Sequence, residues 1–466
     1  MVLTTLADGL LNTGRGIIDA GSDLVGTPTV RLGVTGLARS GKTVFITSLV
    51  SNLMDRGRMP HLLAHAQGRI EAAYLQPQPN DTIPRFDIEA HKAALLGDPP
   101  AWPESTRAVS ELRLSLKVRP AGLLAGWQGV RTLHVDIIDY PGEWLLDLAL
   151  LDQDYAAWSD ATLARVRARP QGAAYRAALD AVDPSARLDE LVAKQLAAAF
   201  TAYLTEARAA GFYDCTPGRF LLPGDLAGSP VLTFAPLPAG DAPRRSLRRE
   251  MARRFEVYKR AVVTPFFRDH FSRIDRQVVL VDALGAIHSG PEAVADMRRA
   301  MGDILGAFRP GRNAFLTQLL RGRRVEKVLF AATKADHIHH TQHDRLTAIM
   351  AALTRAARDR ARFAGAETEA LALAALRTTT EAQVTHEGAT LDMVQGTLLD
   401  TGKTAAFYPG QLPEDPASLL SGDDGWLDDE YAVMRFAPAR MSLRPGDGPP
   451  HIRMDRAAQF LIGDKL

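Results

Sequence analysis

Apolar and polar positions alternate with two different periods along this chain, and the switches between them mark its elements. A short apolar run from Val30 to Gly36 enters a glycine-rich turn, and Val44, Phe45, Ile46, Leu49, Val50 and Leu53 then recur at helical spacing. That is strand, loop, helix. Apolar and polar residues alternate from Glu111 to Val118, and Leu133 to Ile138 reads as a second strand soon after, which predicts a hairpin. Beyond Glu143 the period turns helical for more than a hundred residues, with Leu188, Leu191, Val192, Leu196, Phe200, Tyr203 and Leu204 on one face. Val278 to Leu284, Val328 to Ala332 and Leu371 to Leu376 are continuous apolar runs of the kind that parallel strands show when both faces are buried. Past Thr380 the chain is rich in Gly, Pro and Asp, with strand-like pieces near Phe407 and from Tyr431 to Phe436, and a closing helix around Ala457 to Ile462.

These patterns predict a three-layer α/β domain with a mostly parallel sheet, interrupted by a large helical insertion and a small β-containing one. The expected division is an N-terminal amphipathic segment (1–29), a first part of the α/β domain (30–143), a helical insertion (144–275), a second part (276–384), a β-containing insertion (385–451) and a helix returning to the main domain (452–466). In the first segment Leu3, Leu6, Leu10, Leu11, Ile17, Ile18 and Leu24 follow a helical period, which suits packing on the protein itself or docking on a membrane or partner.

Composition narrows the classes of partner. A formal net charge of +1 supplies no overall field for nucleic acid, so none is expected as a ligand. The lone cysteine, Cys215, excludes an intramolecular disulfide and suits a reducing cytoplasm. No signal peptide or unbroken apolar span of membrane length is evident, so a cytoplasmic location is expected.

The first motif, Gly36-Leu37-Ala38-Arg39-Ser40-Gly41-Lys42-Thr43, matches GxxxxGK[ST] between a buried strand and a helix. Glycines let successive N–H groups turn towards one anion, and the following helix N-terminus adds partial positive charge. Gly36, Ala38, Arg39, Ser40, Gly41, Lys42, Thr43 and Val44 are therefore the candidate phosphate contacts. Lys42 would reach the β- and γ-phosphates, and the Thr43 hydroxyl would join Mg²⁺. Arg39 either touches phosphate or faces solvent.

Asp139-Tyr140-Pro141-Gly142 follows the second strand of the hairpin and fits a DxxG pattern. Asp139 would hold Mg²⁺ through water, and the Gly142 N–H would sense the γ-phosphate. A second Mg²⁺ hydroxyl is expected in the loop before Glu111. Thr106 fits that position best, and Thr82, in an Asn-Asp-Thr turn before Pro84, competes. Glu143 stands where many GTPases carry a glutamine that orients water. An ionised carboxylate there would repel the γ-phosphate, so Glu143 either points away or hydrolysis is slow.

Thr333-Lys334-Ala335-Asp336 ends the run Val328 to Ala332 and resembles the NKxD element that selects guanine. A carboxylate accepts hydrogen bonds from both the N1–H and the 2-amino group of guanine, whereas adenine presents an acceptor at N1. Asp336 would thus choose GTP and GDP. The Lys334 stem would lie against the base, and Thr333 offers a shorter tether than asparagine. His337 is a further base-side candidate, and Leu376, within Ala375-Leu376-Arg377, would bring a backbone N–H to the guanine O6. His337, His339, His340 and His343 crowd the segment after Asp336, and a helix would put His339 and His343 on one face. A metal site there lacks a third ligand that the sequence can place, and hydrogen bonding by the imidazoles is the simpler expectation. The arginines from Arg244 to Arg260 read as a solvated helix face rather than a phosphate surface.

Together GLARSGKTVF, DYPGEW, TKADHIHHTQHDRL and the terminal HIRMDRAAQFLIGDKL resemble the bacterial YcjX-like P-loop proteins, a stress-associated group with GTPase character. The likeness spans most of the chain, and its specific parts are the histidine-rich continuation of TKAD and the last segment. It implies a Ras-like P-loop domain, guanine nucleotide with Mg²⁺, and work beside an inner-membrane protein partner. The leading expectation is a GTPase switch with Lys42, Thr106, Gly142 and Glu143 at the reacting end. A nucleotide-dependent scaffold with little hydrolysis is the alternative, followed by an ATPase with an incidental TKAD.

Overall fold

The hairpin expected from the alternation after Glu111 sits inside a seven-stranded sheet. The computed structural model describes residues 27–36, 39–104, 106, 108–121, 129–270, 273–306, 325–386, 388–421 and 432–466. Most of the N-terminal segment expected to be amphipathic therefore lies outside the described residues, as do Ala38 and Tyr431. Strands β1 (Thr29–Gly36), β2 (Ile70–Gln76), β3 (Ser110–Val118), β4 (Arg131–Asp139), β5 (Arg276–Val281), β6 (Lys327–Ala332) and β7 (Glu367–Ala372) run in the spatial order β2-β3-β4-β1-β5-β6-β7. From β4 to β7 every pairing is parallel, whereas β3 is antiparallel to both its neighbours. Only Ile70 of β2 is buried, and this edge strand left too weak an apolar signal to be read in advance.

Residue alternation in the central strands makes the layers. Val279, Val281, Val328, Phe330 and Ala332 point into one apolar core, and Val278, Leu280, Leu329 and Ala331 into the other. The helices relevant to the site are α1 (Lys42–Met54), α2 (Gly142–Leu146), α3 (Tyr155–Ala168), α4 (Glu190–Ala209), α5 (Leu247–Tyr258), α6 (Ala283–His288), α7 (Pro291–Gly306), α8 (His343–Leu353) and α9 (Met454–Ile462). Phe45, Ile46, Leu49, Val50 and Leu53 of α1 join Met454, Ala457, Leu461 and Ile462 of α9 in one core, so α9 closes the sheet beside α1. The opposite core holds α6, α7 and α8 and runs on into the helices between β4 and β5.

In those helices Trp158 stacks on Phe255, with centroids 4.9 Å apart, and meets Phe200 and Phe234 edge on. The helices are fastened to the sheet by a buried ion pair: Arg169 Nη2 lies 2.7 Å from Asp296 Oδ1 on α7, and Asp296 Oδ2 accepts the N–H groups of Tyr213 and Asp214 at 2.6 and 2.9 Å. Nearby, Asp147 is buried, accepting the Tyr258 hydroxyl and the Gly218 N–H. The arginines of α5 form a largely solvated face, as expected: Arg249 and Arg253 are exposed, the latter paired with Glu250, while Arg254 is buried and pairs with Glu250 and Glu190.

Beyond β7, β8 (Thr380–His386), β9 (Ala389–Thr397) and β10 (Thr404–Phe407) form a separate antiparallel sheet in the order β10-β9-β8. Several expected boundaries shift. The run to Leu284 breaks at Val281 because the Asp282 carboxylate accepts the Gly285 N–H at 3.0 Å and caps α6. β7 ends at Ala372, and Ala374 instead bridges to Ile452. In place of a strand up to Phe436 there is one bridge, Leu398 to Phe436. Leu188 precedes α4 and Leu191 is 63% exposed, so the buried face is built from Ala193, Leu196, Phe200, Tyr203 and Leu204. Among the described residues no helix is long and apolar enough to cross a membrane.

Candidate functional site

The parallel strands β1, β5, β6 and β7 end on one side of the sheet, where the loops after them surround a cavity of about 550 Å³. After β1 the chain makes its glycine-rich turn. Arg39 and Gly41 have φ of 65° and 75°, in the left-handed region, and Lys42 begins α1. Such a turn at a helix start aims N–H groups at one point. Gly36, Arg39, Ser40, Gly41, Lys42, Thr43 and Val44 all line the cavity. The Ser40 hydroxyl is buried and has no hydrogen-bond partner among the described residues.

At this end four predicted side chains converge from three segments. Thr106 Oγ1 donates to Asp139 Oδ2 at 2.6 Å and lies 3.3 Å from Thr43 Oγ1, while Lys42 Nζ stands 3.3 Å from Asp139 Oδ1. Asp139 is 2% exposed, and its Oδ1 lacks an aligned hydrogen-bond donor among the described residues. Two hydroxyls and a buried carboxylate form an all-oxygen set, which fits a hard divalent cation such as Mg²⁺. Thr82 lies elsewhere: its hydroxyl and N–H both bond Asn80 Oδ1 in an exposed Asx turn, and it is not part of the cavity wall.

Gly142 opens α2 and is not itself part of the cavity wall, whereas Glu143 beside it lines the cavity. Glu143 faces the cavity, yet its carboxylate is ion-paired with Arg208 from the last turn of α4. The expected charge next to a phosphate is thereby offset by Arg208, a cation that no local motif marks. Gly218 packs so closely that a Cβ there would lie 2.1 Å from the Glu143 carbonyl oxygen.

Thr333, Lys334, Asp336, His337 and Leu376 line the opposite end. Thr333 donates its N–H, at 2.9 Å, to the Val281 carbonyl, tying the end of β6 to that of β5. Lys334, with φ 61°, pairs its ammonium with Asp282. Asp336 is 4% exposed, and its Oδ2 accepts the Thr378 N–H at 2.8 Å and hydroxyl at 2.7 Å. Thr378 was not singled out in the sequence; its signal was the Thr378-Thr379-Thr380 run just past the expected backbone donor. Leu376 and Ala375 sit beside α1, whose Ser48 hydroxyl donates to the Ala375 carbonyl.

An aromatic pair from outside the predicted motifs covers this end. The Trp102 indole N–H donates to the Phe436 carbonyl at 2.9 Å, and the His337 ring stands edge on to Phe436, 5.1 Å between centroids. Burial lowers the His337 pKa, so the ring is held neutral. Cys215 is buried, and desolvation pushes its thiol up to about 12, which leaves it inert.

The histidine cluster departs from expectation. His343, not His339, lies on the helix, and its Nε2 bonds the Ala335 carbonyl at 2.8 Å. His339 and His340 precede α8 and meet Glu381 of β8.

Sheet order, turn and cavity together define an α/β protein of the Ras-like P-loop type. Comparison with known proteins agrees. The family model described as "YcjX-like family, DUF463" matches residues 30–466. This chain belongs to the YcjX-like family. It is 39% identical over 453 residues to the Ras-like GTPase YcjX of Escherichia coli (strain K12), covering 94% of this chain and 96% of that protein. It is 35% identical over 464 residues to the Ras-like GTPase YcjX of Shewanella oneidensis, covering 94% of each.

Proposed function

We propose that this protein is a GTP-binding and GTP-hydrolysing switch whose conformation is set by the γ-phosphate. One observation carries the reading: a single cavity is lined by Lys42, Thr43 and Thr106, with Asp139 bonded to Thr106 and paired with Lys42, and also by a second buried carboxylate, Asp336. Names of the two relatives, both Ras-like GTPases, support it.

In this reading the N–H groups from Gly36 to Val44 cradle the phosphates, and Lys42 leaves Asp139 to meet the β- and γ-oxygens. Mg²⁺, held by Thr43, Thr106 and Asp139, would supply charge neutralisation between those oxygens. Gly142 donates its N–H to the γ-phosphate, which makes the start of α2 the sensing element. Water attacks the γ-phosphorus in line, the bond to the bridging oxygen breaks, and GDP and phosphate leave. Because Glu143 is engaged with Arg208, it is not free to orient that water, and intrinsic turnover is slow. The same ion pair favours a second reading, a nucleotide-dependent scaffold that hydrolyses little. A stress-associated role beside an inner-membrane protein partner, on the cytoplasmic side, rests on the family resemblance.

Turnover of GTP labelled at the γ-phosphate, measured with and without Mg²⁺ beside the affinities for guanine and adenine nucleotides, tests the proposal. Slow Mg²⁺-dependent release of phosphate and selective GTP binding are expected. Lys42→Ala should lower triphosphate affinity and turnover at least ~100-fold, as loss of a charge-assisted contact to phosphate does. Tight GDP binding with no turnover would favour the scaffold, and full activity in Lys42→Ala would remove the site.

A further inference from the structure

His339, His340 and Glu381 each aim one ligand-type atom into a common space, with all three atoms within 4.8 Å of one another. His339 Nε2 lies 3.8 Å from Glu381 Oε2, and His340 Nδ1 lies 2.7 Å from the same oxygen. Tetrahedral coordination at ~2.0–2.1 Å puts ligand atoms about 3.3 Å apart, so these separations bracket the required value. A small rotation of the exposed His340 ring would equalise them.

The surroundings orient this set as metal sites do. Glu381 Oε1 is occupied by the His340 N–H at 3.2 Å and by Arg377 at 3.7 Å, which leaves Oε2 turned to the imidazoles. His339 is buried, and its other ring nitrogen, Nδ1, lies 3.0 Å from Thr341 Oγ1 and 3.4 Å from Asp392 Oδ2. Asp392 is itself steadied by Gln383 Nε2 at 2.9 Å and by Thr341 at 3.1 Å. His339 thus offers Nε2 to the shared space while its Nδ1 is bonded to the Thr341 hydroxyl, which in turn donates to Asp392, and outer partners of this kind fix tautomer and ring angle in metal centres.

We infer that His339, His340 and Glu381 form a binding site for a divalent transition metal of the zinc class, with Asp392 as the outer carboxylate that positions His339. Two imidazoles and one carboxylate suit zinc rather than magnesium, and three protein ligands leave one position to water. The ion would fasten the loop before α8 to β8. As Asp336 and Thr378 lie three residues before His339 and Glu381 respectively, the clamp would also stiffen the base end of the cavity. That consequence rests on the nucleotide reading. The metal site itself does not.

Zinc titration of the full chain without nucleotide, read by competition with a chromophoric chelator, provides the test, with Co²⁺ absorption as an independent report of tetrahedral ligands. Wild type should hold one equivalent with submicromolar affinity and give a tetrahedral Co²⁺ spectrum. His340→Ala and Glu381→Gln should each weaken zinc at least ~100-fold and abolish that spectrum. Asp392→Asn should weaken it ~10–100-fold with the tetrahedral spectrum kept. His340 is exposed, so His340→Ala is expected to melt at the metal-free wild-type temperature, which separates loss of a ligand from loss of the fold. Equal zinc affinity in wild type and both ligand variants, or an octahedral Co²⁺ spectrum in wild type, would overturn the proposal. Neither result would bear on GTP binding.

Discussion

Replacing Asp336 by asparagine should move base preference from guanine to xanthine. In the native site Oδ2 accepts both the N–H and the hydroxyl of Thr378, at 2.8 and 2.7 Å. An asparagine must turn its carbonyl oxygen to those two donors, because its amide NH₂ cannot accept from the Thr378 N–H. The NH₂ then faces the base. Against guanine it opposes the N1–H and 2-amino donors, and two charge-assisted hydrogen bonds of about 1.5–3 kcal/mol each are lost. The sum, about 3–6 kcal/mol, corresponds to a ~10²- to 10⁴-fold weaker GTP affinity. Against xanthine the same NH₂ donates to the 2-oxo group, so XTP should become the preferred triphosphate. Fluorescence titration with labelled GTP and XTP would measure both constants. Thr378→Val serves as the control: it removes one donor to Oδ2 and should weaken GTP by about 5–10-fold without favouring XTP, as loss of one hydrogen bond does. If Asp336→Asn kept the wild-type ratio of GTP to XTP affinity, the carboxylate would not read the base.

Other outcomes are equally concrete. Thr106→Val removes the hydroxyl between Asp139 and Thr43, and should depress Mg²⁺-dependent GTP turnover at least ~100-fold while changing affinity in EDTA little. Burial pushes the Asp147 carboxyl up to about 7, so between its unfolded value near 4 and about 7 the folded state holds more protons than the unfolded one. Stability should therefore fall as pH rises across that window, by roughly 4 kcal/mol in full, and Asp147→Asn should flatten the slope in urea unfolding at several pH values. Arg169→Ala removes the buried cation from Asp296, leaving the exposed Arg299 as its ion-pair partner, and should destabilise the helices between β4 and β5 by about 1.5–3 kcal/mol in chemical denaturation, as loss of one charge-assisted hydrogen bond does.

Elements with a one-sided or two-sided apolar run were legible because burial writes a period into the chain. β1, β5 and β6 and helices α1 and α9 are of this kind, and the Thr43, Thr106 and Asp139 cluster follows from motifs at the start of α1, in the loop before β3 and at the end of β4. What escaped has a common physical cause. β2 buries one side chain, so its alternation carries little signal. Arg208 reaches Glu143 across 65 residues, Trp102 reaches Phe436 across 334, and such partners share no local pattern. The misplaced end of β5 has a different origin: an apolar run cannot reveal that Asp282 would cap a helix within it.

Gly218 leaves no room for a methyl group against the backbone of Glu143, one residue beyond the proposed phosphate sensor. Two rigid parts in such contact behave as gear teeth rather than as neighbours across a cushion. A shift at the start of α2 would then be passed to the turn that Gly218 begins, and through it to the helices packed on that turn. If the γ-phosphate pulls on Gly142, the helical body is the pointer of the instrument, and its far surface is where a partner would read the dial.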